Sequence, residues 1–396
     1  MTNRLLSFIL CLLFLSTGPA AAQQMDAQTT PAITLGIQTS VYSNMLGEER
    51  PILIYTPEGY AHGTGKYPVI YLLDGDSHLL HTAGTTQFLS RNGKMPEVII
   101  VGIPNTERTR DLKPALSTPN DRFPTAGGAD TFLSFIEEEL VPFVESNYRT
   151  ADYRILIGHS FGGLFSVNAL LQKPDLFNAH ISISPSLWWD NKGLLPKAEA
   201  FFEKNRGLRR FYYMTMGNEG GGMLAGAWGF AGIMEEKGGP FFKWHFELME
   251  NETHGSVPHR STYDGLEMLY DGWAISNFRE AVAEKGLAAV EDHAKSLSTR
   301  YGYEVEVPES VVNIVGYELL AQNQIEDAIK VFERNIKNFP TSPNVYDSAG
   351  DGYKANGAMK QAAESYAKAC SLGTETDHPN KGVYCANAEA LKGELE

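Results

Sequence analysis

Cysteine is almost absent: Cys11, Cys370 and Cys385 are the only three in the 396 residues. Neither Cys370 nor Cys385 sits beside a histidine in a spacing that suggests a thiol nucleophile or a metal site. Positive charge is also scarce. Lys and Arg total 33 against 48 Asp and Glu, a formal net charge of −15. That balance argues against nucleic acid and against electrostatic docking on anionic membranes. It leaves the substrate open, because a cleft can carry a field opposite to the net charge. Long hydrophobic runs are missing too, apart from Leu5–Leu15, which Ser7 interrupts. That run is about half of the ~20 residues a spanning helix needs.

What is present reads first as a leader. Met1–Arg4 is basic, the apolar run follows, and Ser16-Thr17-Gly18-Pro19 breaks it. Ala20-Ala21-Ala22 then supplies small residues before Gln23. This pattern is a secretory signal peptide over residues 1–22, cleaved after Ala22. The expected location is periplasmic or extracellular. Cys11 falls inside the leader, and Phe8-Ile9-Leu10 lacks the small residue that lipoprotein processing wants. In an oxidising compartment Cys370 and Cys385 are open to a disulfide or to two free thiols.

Hydrophobic residues make up 43% of the chain, enough for a sizeable core. The length exceeds one ordinary domain of roughly 100–200 residues. Residues 23–35 are polar and read as a flexible leader. Tyr67–Leu73 and Val98–Ile103 are short continuous apolar runs, the pattern of strands buried on both faces. Further strands are expected at Tyr153–Gly158, Ala179–Ser184, Phe211–Met216 and Lys243–Leu248, with helices between them. The fold class is α/β: a mostly parallel, doubly wound sheet over residues 36–285. Residues 286–310 are expected to be a linker. Residues 311–396 are helical in period. Gly316, Ala328 and Phe332 recur 34 positions on as Gly350, Ala362 and Tyr366. That period resembles a tetratricopeptide repeat. Two units are few for a free-standing array, so they are expected to pack on the α/β domain or on a second copy.

Gly158-His159-Ser160-Phe161-Gly162 is a G-x-S-x-G elbow between a strand and a helix. Ser160 needs a tight, strained turn, so its neighbours at −2 and +2 must lack side chains. The helix N-terminus beneath it favours developing negative charge. The Phe161 amide is one expected oxyanion donor. A serine nucleophile needs a base, and the base needs an acid to hold its tautomer. In this fold the base follows the last strand. His254, in Glu252-Thr253-His254-Gly255-Ser256, fits that place, with His259 as runner-up. The acid belongs after Phe211–Met216, where Glu219 is the only carboxylate in Gly217–Gly222; Asp190 is the alternative. The second oxyanion donor is expected at the Asp76 amide, in the loop Asp74-Gly75-Asp76.

These motifs together resemble the esterase D-like esterases. Tyr71–Asp76, Gly127–Asp130, Gly158–Gly163, Ser184–Trp189 and Glu252–Ser256 occur in the family's order across roughly residues 35–280. That family includes trilactone siderophore esterases, feruloyl esterase domains and mycolyltransferases. The resemblance implies an α/β-hydrolase fold with no nicotinamide, flavin or metal requirement. It implies Ser160, Glu219 and His254 as a triad, and Phe161 and Asp76 as oxyanion donors. Some siderophore-esterase members work with a weak acid, which leaves Glu219 the least fixed of the three.

Arg108, Arg110 and Asp111 lie where the family places residues beside the cleft. Arg108 and Arg110 are expected to hold an anionic acyl or catecholate group, or to belong to a salt-bridged loop. Trp188 and Trp189 are expected either to wall an acyl pocket or to be core. The Gly- and Met-rich stretch from Gly217 to Gly239 suggests a mobile lid. The expected function is a secreted serine esterase acting on a small-molecule ester through an acyl-enzyme on Ser160. The alternatives are an acyltransferase on the same site, or a repeat-bearing binding protein on an inactive scaffold. The expected partners are the ester and a protein, or a second copy, on the repeats.

Overall fold

The computed structural model describes residues 34–61 and 64–395. The expected signal peptide and nearly all of the polar leader after it lie outside the described residues.

Eight strands form one sheet: β1 (Ile37–Ser43), β2 (Glu48–Tyr55), β3 (Tyr67–Leu73), β4 (Ile99–Ile103), β5 (Thr150–His159), β6 (Ala179–Ile183), β7 (Phe211–Gly217) and β8 (Lys243–Met249). Their order is β1-β2-β4-β3-β5-β6-β7-β8. β1 pairs antiparallel with β2, and β2 with β4. Every other pair is parallel. The six parallel strands are the six strands expected from the sequence.

Side chains alternate across a strand, so a run buried on both faces must be apolar throughout. In β3, Val69, Tyr71 and Leu73 enter one core with Phe132, Phe135 and Phe165. Ile70 and Leu72 enter the opposite core with Leu89, Ile155 and Leu266. Each such side chain contributes roughly 1.5–3 kcal/mol on burial.

The helices are α1 (Gly75–Arg91), α2 (Arg108–Leu112), α3 (Ala129–Phe135), α4 (Val141–Asn147), α5 (Phe161–Gln172), α6 (Trp189–Lys192), α7 (Leu194–Lys204), α8 (Gly221–Lys237) and α9 (Val257–Leu269). A π turn, Ile136–Leu140, joins α3 to α4. The expected lid is not a loop. It is α8, whose Ala227, Phe230 and Met234 are buried against Tyr212 and Met214 of β7 and Phe202 of α7. Two of its glycines serve packing: a Cβ on Gly226 would come within 2.8 Å of Leu187, and one on Gly229 within 2.7 Å of Leu195.

α10 (Phe278–Lys285) and α11 (Ala288–Tyr301) follow. The expected linker at 286–310 therefore contains a packed helix. Leu297 and Tyr301 of α11 join the core that holds Tyr153 and Tyr270. Beyond it are α12 (Glu309–Ala321), α13 (Ile325–Asn338), α14 (Pro343–Ala355), α15 (Met359–Glu375) and α16 (Lys381–Leu395). Gly316 lies under the Phe332 ring, where a Cβ would approach to 2.3 Å. Gly350 lies under Tyr366 in the same way, at 2.5 Å. A disulfide joins Cys370 of α15 to Cys385 of α16. Among the described residues, no helix is long and apolar enough to cross a membrane.

Candidate active site

Four parallel strands end on one edge of the sheet and carry the candidate residues on the loops that follow. β3 leads into Asp74-Gly75-Asp76, β5 into Ser160, β7 into Glu219 and β8 into His254. Open α/β sheets place their ligands outside this edge.

Ser160 sits at φ 61°, ψ −113°, between β5 and α5. A non-glycine residue in such a sparsely populated region costs of order 1–3 kcal/mol. The surrounding backbone holds it there. Its N–H donates to Ile183 O at 2.9 Å, and its carbonyl accepts from Ser186 N at 3.0 Å. Strand and helix approach so closely that a Cβ on Gly158 would lie 2.3 Å from Gly162 O. The Phe161 amide belongs to the first turn of α5, whose N–H groups have no partner within the helix. The Ser160 hydroxyl lies 3.4 Å from that of Ser186.

His254 Nδ1 lies 2.6 Å from Glu219 Oε2. A carboxylate accepts from Nδ1–H, which leaves Nε2 as the lone-pair nitrogen. The other carboxylate oxygen of Glu219 accepts from Ser184 Oγ at 2.6 Å. Ser184 Oγ in turn accepts from Gly217 N at 3.1 Å. The two loops are joined by Asn218 N donating to Glu252 O at 2.6 Å. Asp190, the alternative acid, faces elsewhere. Its Oδ1 accepts from Ser117 Oγ at 2.6 Å and from Ser117 N at 3.1 Å.

The His254 ring packs against that of His159, centroids 4.5 Å apart. Burial, then the neighbouring His254 and His78, push the pKa of His159 down to about 3. His159 packs in turn against His78, at 5.6 Å. His78 Nδ1 lies 3.1 Å from His81 Nε2. Burial, then His78 and His259, bring His81 down to about 4. His254 is thus flanked by a neutral imidazole.

Asp74, at φ 52°, precedes α1. Its carboxylate does not cap that helix but pairs with Arg108. Arg108 Nη2 also reaches His159 O at 3.4 Å. Asn105 Nδ2 donates to Asp74 Oδ1 at 2.6 Å. Burial opposes ionisation of Asp74, but the hydrogen bonds and charge of Arg108 outweigh it and lower its pKa. Gly75 is forced by close approach, since a Cβ there would lie 2.5 Å from Ile103 N. Asp76 stands in the first turn of α1, exposed.

For two residues the structure shows the second of the alternatives expected. Arg110 does not face the elbow. It pairs with Glu48 at 2.5 Å and Asp111 at 2.7 Å, in a network that Arg50 completes. Arg108 is the arginine beside the elbow, its guanidinium 5.6 Å from the Phe161 ring centroid. Trp189 is core, 3% exposed, with Nε1 donating to Pro114 O at 3.0 Å. Trp188 stays half-buried, 5.9 Å from Phe161. One buried cation escaped the sequence reading: Lys113, which nothing in its local pattern marked.

Known proteins similar to this chain are esterases. A family model described as "Putative esterase" matches residues 43–210. A siderophore enterobactin esterase of Emericella nidulans is 36% identical over 179 residues, 38% of this chain and 55% of that protein. A ferri-bacillibactin esterase of Bacillus subtilis is 38% identical over 157 residues, 34% of this chain and 53% of that protein. The chain thus spans about half the length of these curated relatives. The crystal structure of an IroE-like serine hydrolase from Shewanella oneidensis aligns with TM-score 0.66 and 31% identity, over 77% of this chain and 99% of that one. With that coverage and identity, this chain belongs to the siderophore-esterase-like esterase family.

Proposed function

We propose that the chain is a serine carboxylic-ester hydrolase. The observation that carries this reading is the strained Ser160 above the N-terminus of α5, on the same sheet edge as a histidine oriented by a carboxylate. In the proposed cycle His254 Nε2 takes the Ser160 proton as Oγ attacks the ester carbon. The amides of Phe161 and Asp76 receive the developing oxyanion; such a donor is worth roughly 3 kcal/mol in the transition state. Collapse expels the alcohol, protonated by His254, and leaves an acyl-enzyme. Water, deprotonated by His254, then releases the acid and restores Ser160. Glu219 holds the imidazole tautomer and stabilises the imidazolium. The names of the relatives direct substrate screening to ester-linked siderophores.

The leader pattern supports a periplasmic or extracellular site of action. The matching glycine–aromatic contacts in α12–α13 and α14–α15 support a tetratricopeptide-like region that docks a protein or a second copy. The decisive test is hydrolysis of a short p-nitrophenyl ester by the protein and by Ser160→Ala. Turnover that falls at least 1,000-fold in the variant is expected from loss of an acyl-enzyme nucleophile (roughly 10⁴–10⁶ in comparable sites). Equal rates would refute the assignment.

A further inference from the structure

Lys113 is 2% exposed, just after α2. Buried lysines are almost always paired. Here, among the described residues, no carboxylate, carbonyl or hydroxyl accepts from Nζ. The ammonium instead faces aromatic rings: Phe123 at 3.7 Å, Phe161 at 3.9 Å and Trp189 at 5.1 Å from their centroids. Each desolvated cation–π contact is worth ~2 kcal/mol. Removing an ion from water costs several kcal/mol. Ring faces satisfy the charge in part, and no protein oxygen among the described residues completes the shell.

The surroundings deepen the imbalance. Arg108 and Arg122 are the neighbouring cations on the same rings, over Phe161 and Phe123 respectively. The carboxylates nearby are already engaged. Asp74 is held by Arg108. Glu107 accepts from the amides of Thr109 and Arg110 at the start of α2. A chain of net charge −15 therefore keeps a locally positive, aromatic-walled spot beside the residue that follows Ser160. Burial, then Arg108, bring the Lys113 pKa down to about 8, so the ammonium form still prevails at neutral pH.

We propose that Lys113 is a specificity residue, anchoring a carboxylate carried by the ester substrate through its N–H donors. This rests on the esterase reading and adds the class of substrate: esters bearing an anionic group. A carboxylate is a planar acceptor whose oxygens take charge-assisted hydrogen bonds from an ammonium.

The test compares kcat/KM for matched pairs of esters. One arm puts the charge on the acyl half: p-nitrophenyl 4-carboxybenzoate against p-nitrophenyl 4-methylbenzoate. The other puts it on the alcohol half: 4-carboxyphenyl acetate against 4-methylphenyl acetate. We expect the charged member of one pair to be preferred at least tenfold. Lys113→Met keeps the length and apolar body of the side chain, and should bring that ratio close to one. A purely structural lysine would change both members together and leave the ratio intact. No preference in either arm, or a preference that survives Lys113→Met, overturns the proposal. Calorimetry with benzoate separates it from the esterase reading, because binding needs no turnover. Benzoate should bind the Ser160→Ala protein at least tenfold more tightly than the Ser160→Ala, Lys113→Met protein. Equal binding, or none, counts against the anchor even if esters are cleaved.

Discussion

The guanidinium of Arg108 meets the carboxylate of Asp74 at two points, Nε to Oδ1 at 2.5 Å and Nη2 to Oδ2 at 2.9 Å. Because Nη2 also reaches the carbonyl of His159, the pair ties the loop after β3 to the residue before Ser160. It acts on the reaction by holding the proposed oxyanion donors in place. Asp74→Asn keeps the shape and removes the charge. It should cost about 2–3 kcal/mol, less than the ~3–5 of a fully buried pair, since the Arg108 side chain is 34% exposed. kcat should fall while KM moves little. Thermal unfolding with steady-state kinetics checks both, and an unchanged kcat would remove the positioning role.

Glu219 and Asp190 make opposite predictions. Glu219→Gln keeps the hydrogen-bonding shape but not the carboxylate, so kcat/KM on a p-nitrophenyl ester should drop about 10²–10⁴-fold. Asp190→Asn, bonded to Ser117, should stay within about threefold. The reverse result would move the acid to the loop after β6.

Acid should destabilise the fold before most carboxylates titrate. In the unfolded chain histidines take up protons near pH 6.5. In the fold His81 resists until about pH 4 and His159 until about pH 3. Over that window the unfolded state binds more protons, so stability is full above about pH 6.5 and declines as the pH falls toward 4 and 3. The groups facing them are His78 and His259 for His81, and His254, His78, Asp74 and Arg108 for His159. Denaturant unfolding at pH 7 and pH 5 should show the loss, and His81→Gln should shrink it. A flat profile would mean these rings protonate freely in the fold.

Two glycines separate contact from propensity. Gly158→Ala puts a Cβ 2.3 Å from Gly162 O and should leave little folded, active protein. Gly84→Ala, inside α1 with nothing within 4 Å of the added carbon, should stabilise by roughly 0.5–1 kcal/mol. Melting temperatures of the two variants give the answer directly.

The disulfide closes a sequence separation of 15 between Cys370 and Cys385. A loop of that size corresponds to about 3 kcal/mol in the chain-entropy account. Cys370→Ser with Cys385→Ser should lower the unfolding temperature of α15–α16 and leave ester turnover unchanged. Loss of turnover would couple those helices to the chemistry.

The sequence exposed whatever is written locally. A strand buried on both faces must be an unbroken apolar run, so β3 and β4 are legible at once, whereas β8, partly buried at the sheet edge with Lys243, His245 and Glu247, is legible from the alternation of strands and helices. The elbow is legible because sterics demand glycine at Gly158, where a Cβ would lie 2.3 Å from Gly162 O. His254 and Glu219 follow from chain order. What stayed hidden depends on distant partners. Arg108 and Arg110 are two residues apart on one short helix, and only Asp74 and Glu48 distinguish them. Lys113 is unremarkable until Phe123, Phe161 and Trp189 close round it. The glycines of α8 suggest mobility until Leu187 is seen against Gly226.

β7 and β8, which end in the loops of Glu219 and His254, are the last two strands of the sheet, and β8 has no neighbour on its outer side. Ser160 follows β5, which is flanked on both sides. Local opening free energies are lowest at such margins and approach the global value only in the interior. Warming should therefore loosen the proton-accepting side first. The protein would pass through a reversible dormant state, compact and with its serine elbow intact, well below the temperature at which it melts.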